Sequence, residues 1–481
     1  MTGFNAWLEK IDSAVWGVPM MVLILGVGLL LSFRMGFLQF RKLGKALRYM
    51  VHNESEGEGE VSSFAALTTA LAATVGTGNI VGVATAVVVG GPGALFWMII
   101  AACLGMATKY AEGLLAVKYR VLDENGKALG GPFYYIENGL GPKWKWLAKL
   151  FAFFGAVAGV MGIVTITQAS SITAAFNNVF DPNGAHVAFS IGNMSYTWAT
   201  TIAAIVVAGA AALVIVGGIK RISDFASKVV PAMMVLYVTF AVLILIFHAS
   251  EIPGSLVRIF QSAFGANAVA GGALGAMMVA MQKGIARGIF SNESGLGSAP
   301  IAAAAAQTKE PVRQGLVSMT GTFLDTIVIC TMTGLCIMTT GAYDAALDQG
   351  LEGVQLTIYA FGHMPWGGTV GAVILSVCLA IFAFTTILGW DYYGEKCLQY
   401  FTNNNMAAVK IYRWVYILAV LIGPFLTLSA VWTIADIFNG LMAFPNLVGL
   451  FGLSGIVVAE TKSYFKRLEA GEIDEGFGKK K

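Results

Sequence analysis

Residues 72–82 read AATVGTGNIVG and lie inside an apolar run, 64–89, that is otherwise long enough to form one membrane-spanning helix. Gly76, Gly78 and Gly82 fall in its middle. Glycine in a helix interior costs about 1 kcal/mol relative to alanine, and Thr74, Thr77 and Asn79 can hydrogen-bond backbone groups that leave the helical ladder. The run therefore predicts a helix broken near Gly76. In hydrocarbon each freed N–H or C=O costs several kcal/mol, so a break persists only where protein, water or a ligand takes up those bonds. A buried binding site is the first expectation. The competing reading is a small-xxx-small packing face made by Gly78 and Gly82.

The surrounding composition is that of an all-α integral membrane protein: 57% hydrophobic and 12% charged residues, with mean hydropathy +0.73 over 481 residues. Cys103, Cys330, Cys336, Cys378 and Cys397 show neither metal-ligand spacing nor a disulfide pattern and read as reduced, small apolar fillers. The four histidines lie near span ends or in loops without a second ligand at helical spacing, so no metal centre and no cofactor are expected.

Taking apolar windows of ~20 residues as spans gives eleven. The first, 15–33, lacks a basic leader region and a small-residue cleavage site, and reads as a retained span. A mixed stretch follows, in which an interfacial helix would turn Leu43, Leu47 and Met50 to lipid, and then an acidic GEGE at 57–60 that reads as a solvated turn. The glycine-rich run is the second span. The third ends near Val117 with Lys109 and Glu112 at its wet end, and the others cover about 146–176, 198–218, 226–248, 271–306, 316–341, 368–390, 414–431 and 437–460. With the N-terminus outside and the C-terminus cytoplasmic, all but Lys10, Arg258, Lys283 and Arg287 of the 30 Lys and Arg fall inside. The charge of +3 then reflects membrane topology rather than nucleic-acid binding.

The seventh run is too long and too polar for a straight span. It carries Lys283, Arg287, Asn292 and Glu293, then Gly295, Gly297 and Pro300, which predicts a second break at 291–297. The two broken runs each open a set of five spans, and five is odd, so the second set is inserted upside down. Interrupted helices in corresponding positions of inverted halves point to the binding site of a secondary transporter. The expected division is 1–62 for one extra N-terminal span and its interfacial segment, 63–250 and 251–460 for a 5+5 inverted repeat, and 461–481 for a cytoplasmic tail.

Three motifs, VGTGN at 75–79, GGPGALFWMIIAACLGMATKY at 90–110 and GIARGIFSNESGLGSAP at 284–300, resemble the alanine or glycine:cation symporters, the sodium:alanine symporter family. Ile99 departs from the family's usual aromatic. VGTGN and FSNESGLG more distantly resemble the unwound segments of the leucine-transporter fold. The resemblance implies a cell-membrane carrier that takes up a small neutral amino acid with sodium.

A zwitterion leaves water only if both charges are met, and half-helix ends can do this. Gly76, Thr77 and Gly78, with Thr74 and Asn79 beside them, are expected around the carboxylate, facing Phe290, Ser291, Glu293 and Leu296. Glu293 could instead cap the second half-helix or pair with Arg287. Gln168, among Thr165, Thr167 and Ser170, is either interhelical glue or a substrate contact. Asp325 needs a partner, for which Lys283 or Arg287 is the candidate. By resemblance, the carbonyls of Ala72, Val75 and Phe382 with the hydroxyls of Thr385 and Thr386 would hold sodium, and Asn79 could serve a second ion. Most threonines in membrane helices merely bond back to their own helix. A proton-coupled carrier would use Glu293. Oligomeric state is left open by the sequence. A channel would need a selectivity ring built by symmetry, an enzyme a GxSxG or HExxH site and a pump a phosphate loop, and the sequence contains none of these.

Overall fold

The computed structural model describes residues 2–52, 57–124, 126–161, 165–181, 183–191, 194–265, 272–364, 367–426 and 429–473. The far end of the expected tail, 474–481, and Gly271 at the start of the seventh run lie outside them.

Nine helices among the described residues are long and apolar enough to cross a membrane, and the bent pair Ser63–Thr74 and Gly78–Gly90 makes a tenth. The expected span absent from this count is the seventh run, where Ala273–Asn292 carries Lys283 and Arg287 and is followed by only the short helix Ala299–Ala303. Its polar content keeps it out of that count.

The glycine-rich run bends by 53° at residues 75–77. Ser62 caps the incoming helix through the Ala65 N–H, and the segment after the bend resumes as a π-helix, Gly78–Gly82, before Val83–Gly90. Ala273–Asn292 packs on Gly78–Gly90, whereas Ala299–Ala303 packs on Ser63–Thr74. First half lies against second half in both pairs, so the two runs are antiparallel and bring their breaks to one level. The long helix Gly368–Phe401 and the segment Thr165–Phe180 pack against each other, with Gly368–Phe401 also against Ser63–Thr74.

Several expectations change. The acidic GEGE is not a solvated turn: Glu60 N–H donates to the Ala305 carbonyl at 2.8 Å and Gln307 N–H to the Val61 carbonyl at 2.7 Å. A Cβ on Gly59 would stand 2.5 Å from the Ala306 backbone, so only glycine permits this approach. Arg120 clamps the same junction, donating to the carbonyls of Glu58, Ala304, Ala306 and Thr308 at 2.5, 3.0, 2.6 and 3.2 Å. The start of the first broken run is thereby tied to the end of the second.

Leu43 and Met50 pack on the protein core rather than facing lipid, because Ala46 and Tyr49 bury that face of the helix Leu43–Val51. The tenth expected span, 414–431, begins earlier and stops sooner, as Met406–Ile422, since Gly423 and Pro424 end it. The last helix runs unbroken to Glu469, across the expected boundary at 460.

Candidate functional site

At the first break the backbone is closed by its own neighbours. The Gly76 N–H donates to Asn79 Oδ1 at 2.8 Å, and Asn79 Nδ2 donates to Asp325 Oδ1 at 2.8 Å and to the Asp325 carbonyl at 3.1 Å. Asn79 is wholly buried and its amide is used in holding the break together. Thr77 Oγ1 accepts from Gln168 Nε2 at 2.8 Å, while Gln168 Oε1 is buried with no hydrogen-bond partner among the described residues.

Three side chains from three other helices converge on residues 76–78. A Cβ on Gly76 would come within 2.6 Å of Thr386 Oγ1 and 3.6 Å of Gln168 Nε2, and one on Gly78 within 3.1 Å of Ser291 Cα. Added methyls in such space cost about 1–3 kcal/mol. Gly76→Ala and Gly78→Ala are each expected to lower amino-acid uptake at least about tenfold at unchanged protein level. Gly76→Ala should be the worse, having the closer neighbour. Substrate affinity unchanged in both variants would remove the substrate from this backbone.

Thr385 and Thr386 are buried, and both hydroxyls donate to the Phe382 carbonyl at 2.9 Å. That is ordinary back-bonding. What sets Thr386 apart is a second approach, 3.4 Å from Oγ1 to the Val75 carbonyl across the break. Two oxygens at that spacing can sit at right angles about a hard cation with bonds of about 2.4 Å, a length typical of oxygen-bound calcium. Ala72 and Val75 are buried as well, and the other contact of Thr385 Oγ1 is to Met233 Sδ at 3.7 Å.

The second break holds corrections. Asp325 is not paired with Lys283 or Arg287: it accepts from Asn79, from Ser291 Oγ at 2.9 Å and from Thr326 Oγ1 at 2.7 Å. Uncharged donors from both breaks reach it because it lies on a second π-helical stretch, Phe323–Cys330, whose wider turn is a frequent feature of functional sites. Lys283 and Arg287 instead line an outer cavity of about 110 Å³ with Asp12, Asp436 and Phe290, and the Arg287 guanidinium lies 5.6 Å from the Phe290 ring centroid.

Glu293 neither caps the second half-helix nor meets Arg287. It ends the first half-helix with φ 55°, and its carboxylate accepts from Trp390 Nε1 at 2.8 Å and Ser298 Oγ at 2.5 Å. Leu296 is fully buried in the core, its N–H donating to the Glu293 carbonyl at 3.2 Å. Of Phe290, Ser291, Glu293 and Leu296, it is Ser291 that supplies the atoms nearest a Cβ on Gly78. Thr74 lines a separate cavity of about 20 Å³ with Lys109, Glu112 and Asn292, room for roughly one water.

Lys109 and Glu112 do not sit at a wet end; they are 3% and 1% exposed. Lys109 Nζ donates to the Glu293 carbonyl at 3.2 Å, at the end of the first half-helix, where carbonyls lack intrahelical partners and the Leu296 N–H is the other donor. Glu112 Oε1 accepts from the Gly295 N–H at 3.2 Å and from Asn446 Nδ2 at 2.7 Å. One helical turn apart on Gly93–Lys118, the pair supplies a cation and an anion to opposite signs of exposed backbone. The spacing i, i+3 was visible in the sequence. Asn446, 334 positions from Glu112, carried no such signal.

Comparison with known proteins fits this geometry. A model of the sodium:alanine symporter family matches residues 1–478. An uncharacterised transporter of Haemophilus influenzae is 53% identical over 469 residues, covering 97% of this chain and 98% of its own. The sodium/alanine symporter AgcS of Methanococcus maripaludis is 46% identical over 470 residues, covering 96% and 97%. Among solved structures, MhsT in complex with L-phenylalanine superposes with a TM-score of 0.55 at 14% identity, covering 84% of this chain and 99% of that one, which establishes the shared fold. The chain belongs to the sodium:alanine symporter family.

Proposed function

We propose that this protein takes up a small neutral amino acid, alanine or glycine, together with sodium by alternating access. The observation that carries the reading is the convergence of Thr386, Gln168 and Ser291 on the three-residue break at 76–78. The substrate carboxylate meets N–H groups at the start of the half-helix from Gly78. Sodium lies between the Val75 carbonyl and the Thr385 and Thr386 hydroxyls. The second broken run counts as the seventh of eleven spans, and the N-terminus lies outside.

Proton coupling through Glu293 is the weaker reading, because both of its carboxylate oxygens are already held, by Trp390 and Ser298. Purified protein in liposomes separates the two. Alanine uptake and alanine counterflow should require sodium, with lithium a poor substitute and a pH gradient alone inactive. Uptake driven by the pH gradient without sodium would replace sodium with the proton.

Gln168 has one amide nitrogen on Thr77 and an oxygen left over at the break. Gln168→Ala is expected to change the relative affinities for glycine, alanine and larger amino acids, since span contacts survive while the polar wall recedes. Equal scaling of every substrate would make Gln168 interhelical glue only.

A further inference from the structure

Where the helix Val18–Arg34 ends beside the last turns of Ser429–Glu469, a groove of about 430 Å³ opens at the edge of the molecule. Arg34, Arg41, Lys42, Lys462 and Lys466 line it, against one carboxylate, Glu469. None of the five cations makes an ion pair of 4 Å or less among the described residues. Arg34 Nη1 rests on Ser454 Oγ at 2.7 Å and Lys42 Nζ lies 4.6 Å from the Phe465 ring centroid, so the charges are positioned but not neutralised. Phe465 and Leu38 give the groove an apolar floor.

The positions of Lys462 and Lys466, one turn apart with Phe465 between them in sequence, put charge and floor on the same face of the last helix. Next in sequence to Arg34 and Arg41, Phe33 and Phe40 are 63% and 53% exposed, and Phe37 meets Phe33 edge-on and stacks on Phe40, with ring centroids 5.1 and 6.4 Å away. Exposed phenylalanines beside converging lysines and arginines make a boundary between hydrocarbon and headgroup. A free anion would use the cations and leave the aromatic rim without purpose.

We infer that this groove binds the headgroup of an anionic phospholipid, with the phosphodiester among Arg41, Lys462 and Lys466 and the acyl chains along Phe33 and Phe40. Basic pockets between spans at a membrane surface have the charge and shape for this ligand, and each nearby Lys or Arg adds attraction. The site lies apart from the broken helices and does not depend on which amino acid is carried.

Native mass spectrometry of the detergent-purified protein tests it with phosphatidylglycerol and phosphatidylcholine as probes. The parent should retain phosphatidylglycerol at least tenfold better than phosphatidylcholine. Arg41→Gln/Lys462→Gln/Lys466→Gln should abolish that preference, and Lys462→Arg/Lys466→Arg should keep it. Excess inorganic phosphate should leave the bound lipid in place. Equal retention of both lipids by the parent, or a preference that survives the triple substitution, overturns the site. Displacement by phosphate would make it a site for soluble anions. Should the triple variant fold poorly, Lys462→Gln/Lys466→Gln should still lower the preference at least about threefold, and a preference unchanged there overturns the site.

Discussion

Lys109→Met is expected to cost about 3 kcal/mol or more of stability, the low end of what removing one member of a buried charge cluster usually costs. The Lys109 ammonium acts electrostatically on Glu112, Glu293 and Asp325, all buried at the two breaks, and donates to the Glu293 carbonyl. Methionine fills much the same volume, so the loss is one of charge rather than of packing. It leaves three buried carboxyl groups without that cation and the Glu293 carbonyl with the Leu296 N–H as its remaining donor. Thermal unfolding in detergent should show a melting point several degrees lower, with transport lost at temperatures the parent tolerates. Lys109→Met/Glu112→Gln should recover part of the loss, because the glutamine keeps an acceptor for the Gly295 N–H and Asn446 while removing one unbalanced charge. A single variant that melts with the parent would mean that Lys109 does not balance those carboxylates.

How much of this was legible follows from the physical range of each signal. The first break announces itself locally, since three glycines and hydrogen-bonding side chains within residues 72–82 oppose a continuous helix in hydrocarbon. The second is marked by charges that a straight span in lipid would not carry. Their antiparallel alignment could be reasoned from an odd number of spans, and the packing of first half on second half agrees with it. The partner of Asp325 was not legible. Opposite charge suggested Lys283 or Arg287, yet an amide and two hydroxyls, arriving from residues 79, 291 and 326, satisfy the carboxylate.

Burial of Lys109 and Glu112 escaped for a related reason. Window reading places charges near the end of an apolar run in water, and it has no means of seeing that backbone from a distant break supplies their partners. The GEGE segment shows the converse. Its charged residues look solvated while its glycines allow a backbone pairing with residues 305–308 that no local pattern encodes.

Sodium dependence of the Thr386→Val variant tests the central proposal, an ion that joins Gly368–Phe401 to the first broken helix. Valine keeps the shape of threonine and deletes the one hydroxyl that approaches both the Val75 carbonyl and Gly76. With one oxygen fewer the remaining set is poor for a hard cation. Ion and substrate order the same break, so each should strengthen the other by a reciprocal coupling of about 1–3 kcal/mol. Alanine binding measured across a sodium titration should show half-saturation by sodium at least about tenfold higher than in the parent, a shift of about 1.4 kcal/mol. Alanine affinity should fall at low sodium and largely recover at saturating sodium. A normal sodium dependence, or an alanine affinity reduced equally at every sodium concentration, would contradict an ion held by Thr386.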